Sequence, residues 1–281
     1  MVGTTEDGQS QDDVIRPFGE FEAKGLLAVV SSITRRFPVW VPRRVIYALR
    51  RLVKHRLPQA VDATVFEQRM RLYPRDNLSE NRVLFMPQHF DAEERKALSG
   101  SLHDNFTFVD LGANAGVYSV FMASQLGARG RIISVEPDPE IRKRLEFNIN
   151  TNGYNNVTVV PKAIGDKTGT LQLYVNQQNR GQSSLIDSGG TPVDVECTTL
   201  ERLLDDVGVE APDAIKIDVE GAELSILKPF FASASPVRFP GLIILECMQR
   251  NGLSDAAKLA LQNGYRMRRQ AKMNAILERA S

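Results

Sequence analysis

Cysteine is scarce in this chain of 281 residues, and its scarcity argues against two kinds of site. Only Cys197 and Cys247 occur, far apart and without a CxxC pair or the spacing of metal ligands. A disulfide framework and a thiolate metal site are therefore not expected, and no other spacing in the chain demands a metal ion. Because free thiols suit a reducing compartment, the composition predicts a cytoplasmic protein.

Long apolar runs are missing as well. The longest one near the start, Gly25 to Val30, is far shorter than the ~20 residues that a membrane-spanning helix needs. Residues 1–13 are polar and acidic, unlike the basic start and apolar run of a secretory signal. We therefore expect neither export nor a transmembrane anchor.

A large excess of one charge is absent, since the formal net charge is only +1. A nucleic-acid partner is therefore not expected. Basic residues are nevertheless concentrated in the segment from residue 35 to residue 56, which contains no acidic residue: Arg35, Arg36, Arg43, Arg44, Arg50, Arg51, Lys54 and Arg56. Its second part, Arg43 to Arg56, has the pattern of a basic amphipathic helix. Such a helix contacts an anionic membrane surface, or it docks its apolar stripe on the core and leaves its charges solvated.

Composition and periodicity divide the chain into a tail, an extension and a main domain. The tail is polar, lacks a hydrophobic period and is predicted to be disordered. The extension is predicted to hold two helices up to Arg56, one or two strands up to Tyr73, and a helix that Asp91 caps. The predicted bounds are residues 1–16 for the tail, 17–104 for the extension and 105–281 for the main domain.

The main domain alternates apolar strands with helical segments, beginning with the strand Phe106 to Leu111 and the helix Val117 to Leu126. The alternation continues to a last strand, Leu242 to Glu246, and a helix after it. This order predicts an α/β, Rossmann-like fold with a mostly parallel, doubly wound sheet. A ligand of such a sheet binds at the carboxyl ends of the strands, where the strand order reverses.

The segment DLGANAG, Asp110 to Gly116, follows the first strand and opens a helix. Gly112 and Gly116 permit a tight turn and a close backbone approach. A dinucleotide site needs the pattern GxGxxG, but Asn114 occupies the second glycine position and Val117 the third. The turn therefore favours S-adenosyl-L-methionine, a donor without phosphates, with Asp110 placing its charged amine.

Two further carboxylates are candidate contacts of the donor. Glu136 ends the second strand, 24 positions after Gly112, where it can accept hydrogen bonds from both ribose hydroxyls. The same spacing also fits NAD. Asp166, in the segment KAIGD, either accepts a hydrogen bond from the adenine amino group or is an ordinary turn residue beside Gly165.

The segment KIDVEGAE places Lys216, Asp218 and Glu220 at the carboxyl end of the fourth strand, and Glu246 ends the fifth. If the methyl acceptor is a hydroxyl, its proton must be removed by a base, and Asp218 is our first candidate, before Glu246 and Glu220. Lys216 can pair with a carboxylate or lower the charge at the acceptor oxygen. The histidines, His55, His89 and His103, precede the sheet, so we expect surface or packing roles, with His89 as the exception to keep open.

Taken together, the segments FVDLGANAGVYS, ISVEPDP, KAIGD, GQSSL, KIDVEGAE and LIILE resemble the FkbM-type methyltransferase family over about residues 70–247. The resemblance implies the class I methyltransferase fold and S-adenosyl-L-methionine as cofactor. It also implies O-methylation of a hydroxyl in a sugar, glycan or natural product. The sequence departs from the family at Met248, where members often carry a histidine.

The polar loop of residues 176–188 is inserted after a strand. Asn179, Ser183 and Ser184 are candidate contacts for the acceptor, and the alternative is a solvent-exposed hairpin loop. Two other functions stay open at this stage. One is an NAD-dependent oxidoreductase on the same sheet, and the other is a non-catalytic, membrane-associated scaffold that keeps the methyltransferase fold.

Overall fold

A computed structural model describes residues 13–176, 190–249, 252–271 and 273–280. The predicted acceptor contacts Asn179, Ser183 and Ser184 lie outside the described residues, as do residues 1–12 of the predicted tail. Among the described residues, no helix is both long enough and apolar enough to cross a membrane.

The extension forms helices around one antiparallel β-hairpin. Its elements are α1 Gly25–Arg36, α2 Arg43–Val53, β1 Val61–Val65, β2 Gln68–Leu72, α3 Leu78–Phe85 and α4 Ala92–Ser99. Leu27 and Val30 of α1 and Ile46 of α2 are buried in a cluster that also contains Phe106 and Ile276. The extension and the main domain therefore share one hydrophobic core.

Helix α3 was not predicted, although its start carries a helix signal. The Asn77 side chain accepts hydrogen bonds from the backbone N–H groups of Ser79 and Glu80, as an N-cap does. The predicted cap at Asp91 is wrong. Its φ is 42° and its side chain accepts a hydrogen bond from the hydroxyl of Tyr118 at 3.1 Å, so it does not cap α4.

The main domain contains one large sheet, flanked by helices. The order of its strands is β13-β14-β10-β9-β3-β4-β5, and β14 alone among these seven runs opposite to the other six. The predicted mostly parallel, doubly wound α/β sheet is confirmed. The bounds are β3 Phe106–Leu111, α5 Val117–Leu126, β4 Gly130–Val135, α6 Pro139–Asn150, β5 Val157–Val160, β6 Ala163–Ile164, β7 Gly169–Val175, β8 Thr191–Thr198, α7 Leu200–Asp206, β9 Ala214–Ile217, α8 Glu223–Ser233, β10 Leu242–Glu246, β11 Met248–Gln249, β12 Gly252–Leu253, α9 Asp255–Gln262, β13 Tyr265–Ala271 and β14 Asn274–Arg279.

The strand order fixes where a ligand binds. Strand β3 lies between β4 and β9, so the chain leaves β3 toward one side of the sheet and later returns on the other. The ends of β3 and β9 therefore form the edge at which the strand order reverses, which is where ligands bind in such sheets. Strands β6, β7 and β8 form a separate small sheet next to this edge.

Buried ionic contacts fasten the extension to α6. The Arg144 guanidinium lies 2.8 Å from Asp76 and 3.1 Å from Glu80, and Arg144 is 1% exposed.

Arg71 pairs with Asp62 at 2.7 Å and also donates to the backbone carbonyls of residues 13, 16 and 17. The sequence places residues 13–16 in a disordered tail, whereas the structure holds this part of the chain against Arg71.

Candidate active site

Two joined clefts lie at the edge where the strand order reverses. The inner cleft is the smaller of the two. Both are lined by a shared set of residues: Ser79, Gly112, Asn114, Asp218 and Glu220. A ligand in the inner cleft therefore meets a second molecule in the outer cleft across the ends of β3 and β9.

The turn after β3 requires glycine at two positions because protein atoms crowd it. Gly112 has φ +73°, and a Cβ there would lie 1.9 Å from the carbonyl oxygen of Asp218. Gly116 has φ +85°, and a Cβ there would lie 2.5 Å from the Leu145 side chain. The sequence attributes both glycines to close approach of a ligand, whereas the structure shows that they allow β9 and α6 to approach the turn.

Glu136 is held in the inner cleft by two backbone donors. The N–H of Asn114 donates to Oε2 and the N–H of Asp138 donates to Oε1, each at 2.9 Å. Burial raises the pKa of Glu136 to about 8. Because each carboxylate oxygen accepts more than one hydrogen bond, both oxygens can still accept from two adjacent hydroxyls. This arrangement suits the ribose of a nucleoside.

Asn114 joins the turn to the extension. Its φ of 52° is left-handed, which asparagine tolerates better than most residues. Its side-chain oxygen accepts hydrogen bonds from Nδ2 of Asn77 and from the N–H of Ala115, both at 2.7 Å. The extension thus fixes the turn after β3 through Asn77, a residue to which the sequence analysis assigned no role.

The far end of the inner cleft is mostly apolar. Its wall is formed by Val135, Pro137, Ile141, Ala163, Ile164 and Leu173, with Lys162 beside them. Such a wall suits a planar base. Asp166, the predicted partner of the adenine amino group, is exposed, and the preceding residues Lys162 to Ile164 line the cleft.

Asp110 lies beneath the site. It is fully buried and accepts a hydrogen bond from Oγ of Ser119 at 2.7 Å, and its Oδ1 lies 3.9 Å from Nζ of Lys216. Burial raises the pKa of Asp110. The structure therefore places Asp110 where its charge faces Lys216, and its contact with the amine of the donor stays a prediction.

Lys216 is a buried cation at the end of β9. Its Nζ donates to Oδ2 of Asp218 at 3.0 Å and lies 4.9 Å from the ring centre of Tyr118. Burial alone lowers the pKa of Lys216, but the charges of Asp218 and Asp110 outweigh it and raise the pKa above its ordinary value. The ammonium group therefore remains charged and fixes the Asp218 carboxylate.

Carboxylates crowd the junction of the two clefts. Burial, together with the charges of Asp218 and Glu246, raises the pKa of Glu220 to about 7. Burial and nearby carboxylates also raise the pKa of Glu246. Glu223 accepts the N–H of Gly221 at 3.1 Å and so supports the loop itself. The surplus of negative charge suits a cationic ligand, and S-adenosyl-L-methionine carries a sulfonium and an ammonium group.

The structure brings most of the predicted site residues together. Gly112, Asn114, Glu136, Asp218 and Glu220 line the inner cleft, and Lys216 and Glu246 line the outer cleft. The outer cleft also has walls that the sequence did not indicate: Arg43, Tyr47, Arg82, Asp91, Glu94 and Tyr118. His89 is half-buried and lines this cleft. The structure therefore disagrees with the surface or packing role that the sequence favoured and keeps His89 among the candidate site residues.

The fold and these clefts define a class I methyltransferase that uses S-adenosyl-L-methionine. Comparison with known proteins identifies the family, since a model described as the Methyltransferase FkbM domain matches residues 110–267, more than half of the chain. The chain belongs to the FkbM methyltransferase domain family. The family decides against the NAD-dependent oxidoreductase that the sequence left open.

Curated relatives and solved structures show more distant similarity. The chain is 29% identical to methyltransferase sdnD of Sordaria araneosa over 160 residues, 46% of this chain and 61% of that protein. It is 25% identical to AMB antimetabolite synthetase AmbE of Pseudomonas aeruginosa over 189 residues, 54% of this chain and 9% of that protein. The chain thus spans less than two thirds of either relative. A precorrin-6y C5,15-methyltransferase from Geobacter metallireducens has 20% identity and a TM-score of 0.41, covering 67% of this chain and 88% of that one.

Replacing Glu136 tests the ribose contact. We expect Glu136→Ala to weaken binding of S-adenosylhomocysteine by roughly tenfold to a hundredfold, because the hydrogen bonds of both ribose hydroxyls are lost. Calorimetric titration measures this, and Asp255→Ala, at an exposed position outside both clefts, should change the affinity less than about twofold. An analogue lacking both ribose hydroxyls should bind wild type and Glu136→Ala equally. A loss in Glu136→Ala that persists with that analogue would contradict the contact.

The raised pKa of Glu220 predicts a proton linkage. A cation bound nearby stabilises the ionised carboxylate, so donor binding lowers the pKa of Glu220 from about 7 and releases protons near neutral pH. Affinity should therefore rise as the pH increases toward that pKa and level off above it. Calorimetry in two buffers of different ionisation enthalpy gives the protons released per donor bound. Glu220→Gln should reduce that number, whereas Asp255→Asn, at an exposed position, should not; equal release in wild type and Glu220→Gln speaks against the linkage.

Proposed function

We propose that this methyltransferase methylates a hydroxyl oxygen of a saccharide or natural product. The observation that supports it is the Asp218 carboxylate, which lines both clefts and is oriented by Lys216 at 3.0 Å. A neutral hydroxyl is a poor nucleophile and must lose its proton during transfer, so a carboxylate at the junction of donor and acceptor serves as the base. The polar lining of the outer cleft suits an acceptor with several hydroxyls.

S-adenosyl-L-methionine, when bound, supplies a methyl group on a positively charged sulfur, and that sulfur keeps the bonding electron pair as the carbon–sulfur bond breaks. The protein aligns the acceptor oxygen with the methyl carbon and keeps water out of the junction. Asp218 accepts the hydroxyl proton while the new oxygen–carbon bond forms. Lys216 holds the carboxylate in place through its buried contacts with Asp218 and Asp110.

Three other groups near the junction are alternative bases. Glu220, with a pKa of about 7, is matched to proton transfer at neutral pH. Glu246 and His89 line the outer cleft. Asp218 remains our first candidate because it lines both clefts, as Glu220 also does, and because its carboxylate accepts a hydrogen bond from Lys216.

Labelled S-adenosyl-L-methionine, incubated with the protein and host metabolite or glycan extracts, tests the reaction. We expect label in a methyl ether, which resists mild alkali that cleaves a methyl ester. With that acceptor, Asp218→Asn should reduce turnover by roughly a hundredfold or more, because a positioned base contributes that much. Binding of S-adenosylhomocysteine should persist in Asp218→Asn.

Glu220→Gln, Glu246→Gln and His89→Gln are the matched comparisons for Asp218→Asn. Full turnover in Asp218→Asn with a comparable loss in one of these variants would reassign the base. If no fraction of any extract gains label although the donor binds, the non-catalytic scaffold becomes the better account.

We also propose that the extension contacts an anionic membrane surface. Eight of the thirteen exposed large apolar side chains of the described residues lie on α1, α2 or the turn between them: Leu26, Val29, Ile33, Val39, Trp40, Val45, Tyr47 and Leu52. Trp40, the only tryptophan, is 78% exposed. Exposed Arg36, Arg51, Lys54 and Arg56 lie in the same segment. Exposed apolar and basic groups together are typical of interfacial helices.

Vesicle flotation tests this contact. The protein should float with vesicles that contain phosphatidylglycerol and not with pure phosphatidylcholine, and high salt should weaken the binding. Trp40→Ser combined with Arg36→Glu and Arg51→Glu should abolish flotation. Reversing Arg129 and Arg202, exposed arginines outside the extension, is the control. Equal flotation of both variants would rule out this face as the contact.

A further inference from the structure

The helices of the extension contribute basic side chains to the outer cleft. Arg43 and Tyr47 of α2 and Arg82 of α3 line it. Arg50 follows at helical spacing, since residues separated by three and four positions share one face of a helix. Arg43, Tyr47 and Arg50 therefore form one stripe of α2, and we call these residues with Arg82 the arginine wall.

Arg43 and Arg82 line the same cleft, and the charge of Arg82 also acts on Arg50. Burial lowers the pKa of Arg50, Tyr47 opposes that shift, and the positive charge of Arg82 adds to it. Within the described part of the chain, no salt bridge to a carboxylate joins Arg43, Arg50 or Arg82, whereas buried Arg71 and Arg144 both have one. Guanidinium groups that form no salt bridge within the protein can donate charged hydrogen bonds to a bound anion.

At least three of the five carboxylates that line the outer cleft accept a hydrogen bond from another side chain. Asp91 accepts the hydroxyl of Tyr118, and Glu94 accepts Nδ2 of Asn274 at 2.9 Å. Asp218 is held by Lys216. Glu220 and Glu246, the other two, follow β9 and end β10, whereas the guanidinium groups come from α2 and α3.

We propose that the arginine wall binds a phosphate group of the acceptor. Several guanidinium groups and a tyrosine hydroxyl match the charge and the several acceptor oxygens of a phosphate better than those of a single carboxylate. The acceptor is then a phosphorylated hydroxyl compound. Its phosphate is held by Arg43 and Arg82, with Arg50 behind them, and its hydroxyl extends to Asp218. This substrate class rests on the proposed methylation of a hydroxyl.

The phosphate has two possible sources with the same chemistry. It belongs to a water-soluble phosphorylated saccharide, or it links a saccharide to a lipid. The second source is consistent with the exposed apolar and basic side chains of α1 and α2, since α2 contributes both to that surface and to the arginine wall.

Binding of inorganic pyrophosphate tests the site without any turnover. Calorimetry at low salt, with S-adenosylhomocysteine present, should detect binding to wild type. Arg43→Gln and Arg82→Gln should each weaken it about tenfold or more, because each removes charged hydrogen bonds. Arg44→Gln, at the exposed neighbouring position on α2, should bind pyrophosphate like wild type. Undetectable binding to wild type, or equal binding by all variants, would overturn the arginine wall as a phosphate site.

Phosphatase treatment of extracts tests the substrate class. If label enters a water-soluble compound and phosphatase removes its capacity to accept, the phosphate is free. If label enters a solvent-extractable compound and mild acid releases its phosphate-linked saccharide, the phosphate is lipid-linked. An acceptor that contains no phosphate would overturn the proposal. Failure of the proposed methylation looks different, because no fraction gains label while pyrophosphate still binds through Arg43 and Arg82.

Discussion

The close approach of the turn after β3 to the end of β9 is the constraint on which the site depends. A side chain as small as a methyl group at Gly112 would collide with the carbonyl oxygen of Asp218 at 1.9 Å. This contact brings the turn after β3 next to Asp218, our candidate base. The same pair of strands places Asp110 opposite Lys216, so the buried cation that orients Asp218 is also a product of their register.

The charges of the site come from different parts of the fold. Carboxylates cluster at the ends of β9 and β10, where burial and their mutual repulsion raise the pKa values of Glu220 and Glu246. Guanidinium groups of α2 and α3 line the outer cleft, which carries carboxylates as well. The clustered carboxylates favour a cationic ligand at the ends of these strands.

The sequence was sufficient for the parts of the fold that follow from local periodicity. The strands Phe106–Leu111 and Leu242–Glu246 and the helix Val117–Leu126 have the predicted bounds. The C-terminal strands β13 and β14 were missed. In β13 only Tyr265 is buried, and its several arginines hide the alternation that marks a strand. The glycine-rich turn and Glu136 were predicted as parts of one site because each directly follows a strand with clear apolar periodicity, β3 and β4.

The remaining site residues could not be predicted because tertiary contacts assemble them. Asn77 contacts Asn114 from 37 positions away, and Arg43 reaches the cleft from a helix whose composition indicates only a charged surface. Asp110 has the right neighbours in sequence for a ligand contact, yet its complete burial gives it Ser119 and Lys216 as partners. Distance along the chain and depth below the surface are the two properties that local patterns do not encode.

A crystal structure of the complex with S-adenosylhomocysteine tests the central claim most directly. We expect both ribose hydroxyls to donate to Glu136, the adenine ring to lie against Ile141 and Leu173, and the sulfur to face Asp218 at the opening to the outer cleft. A ligand bound outside the inner cleft, or one whose ribose lies away from Glu136, would contradict it.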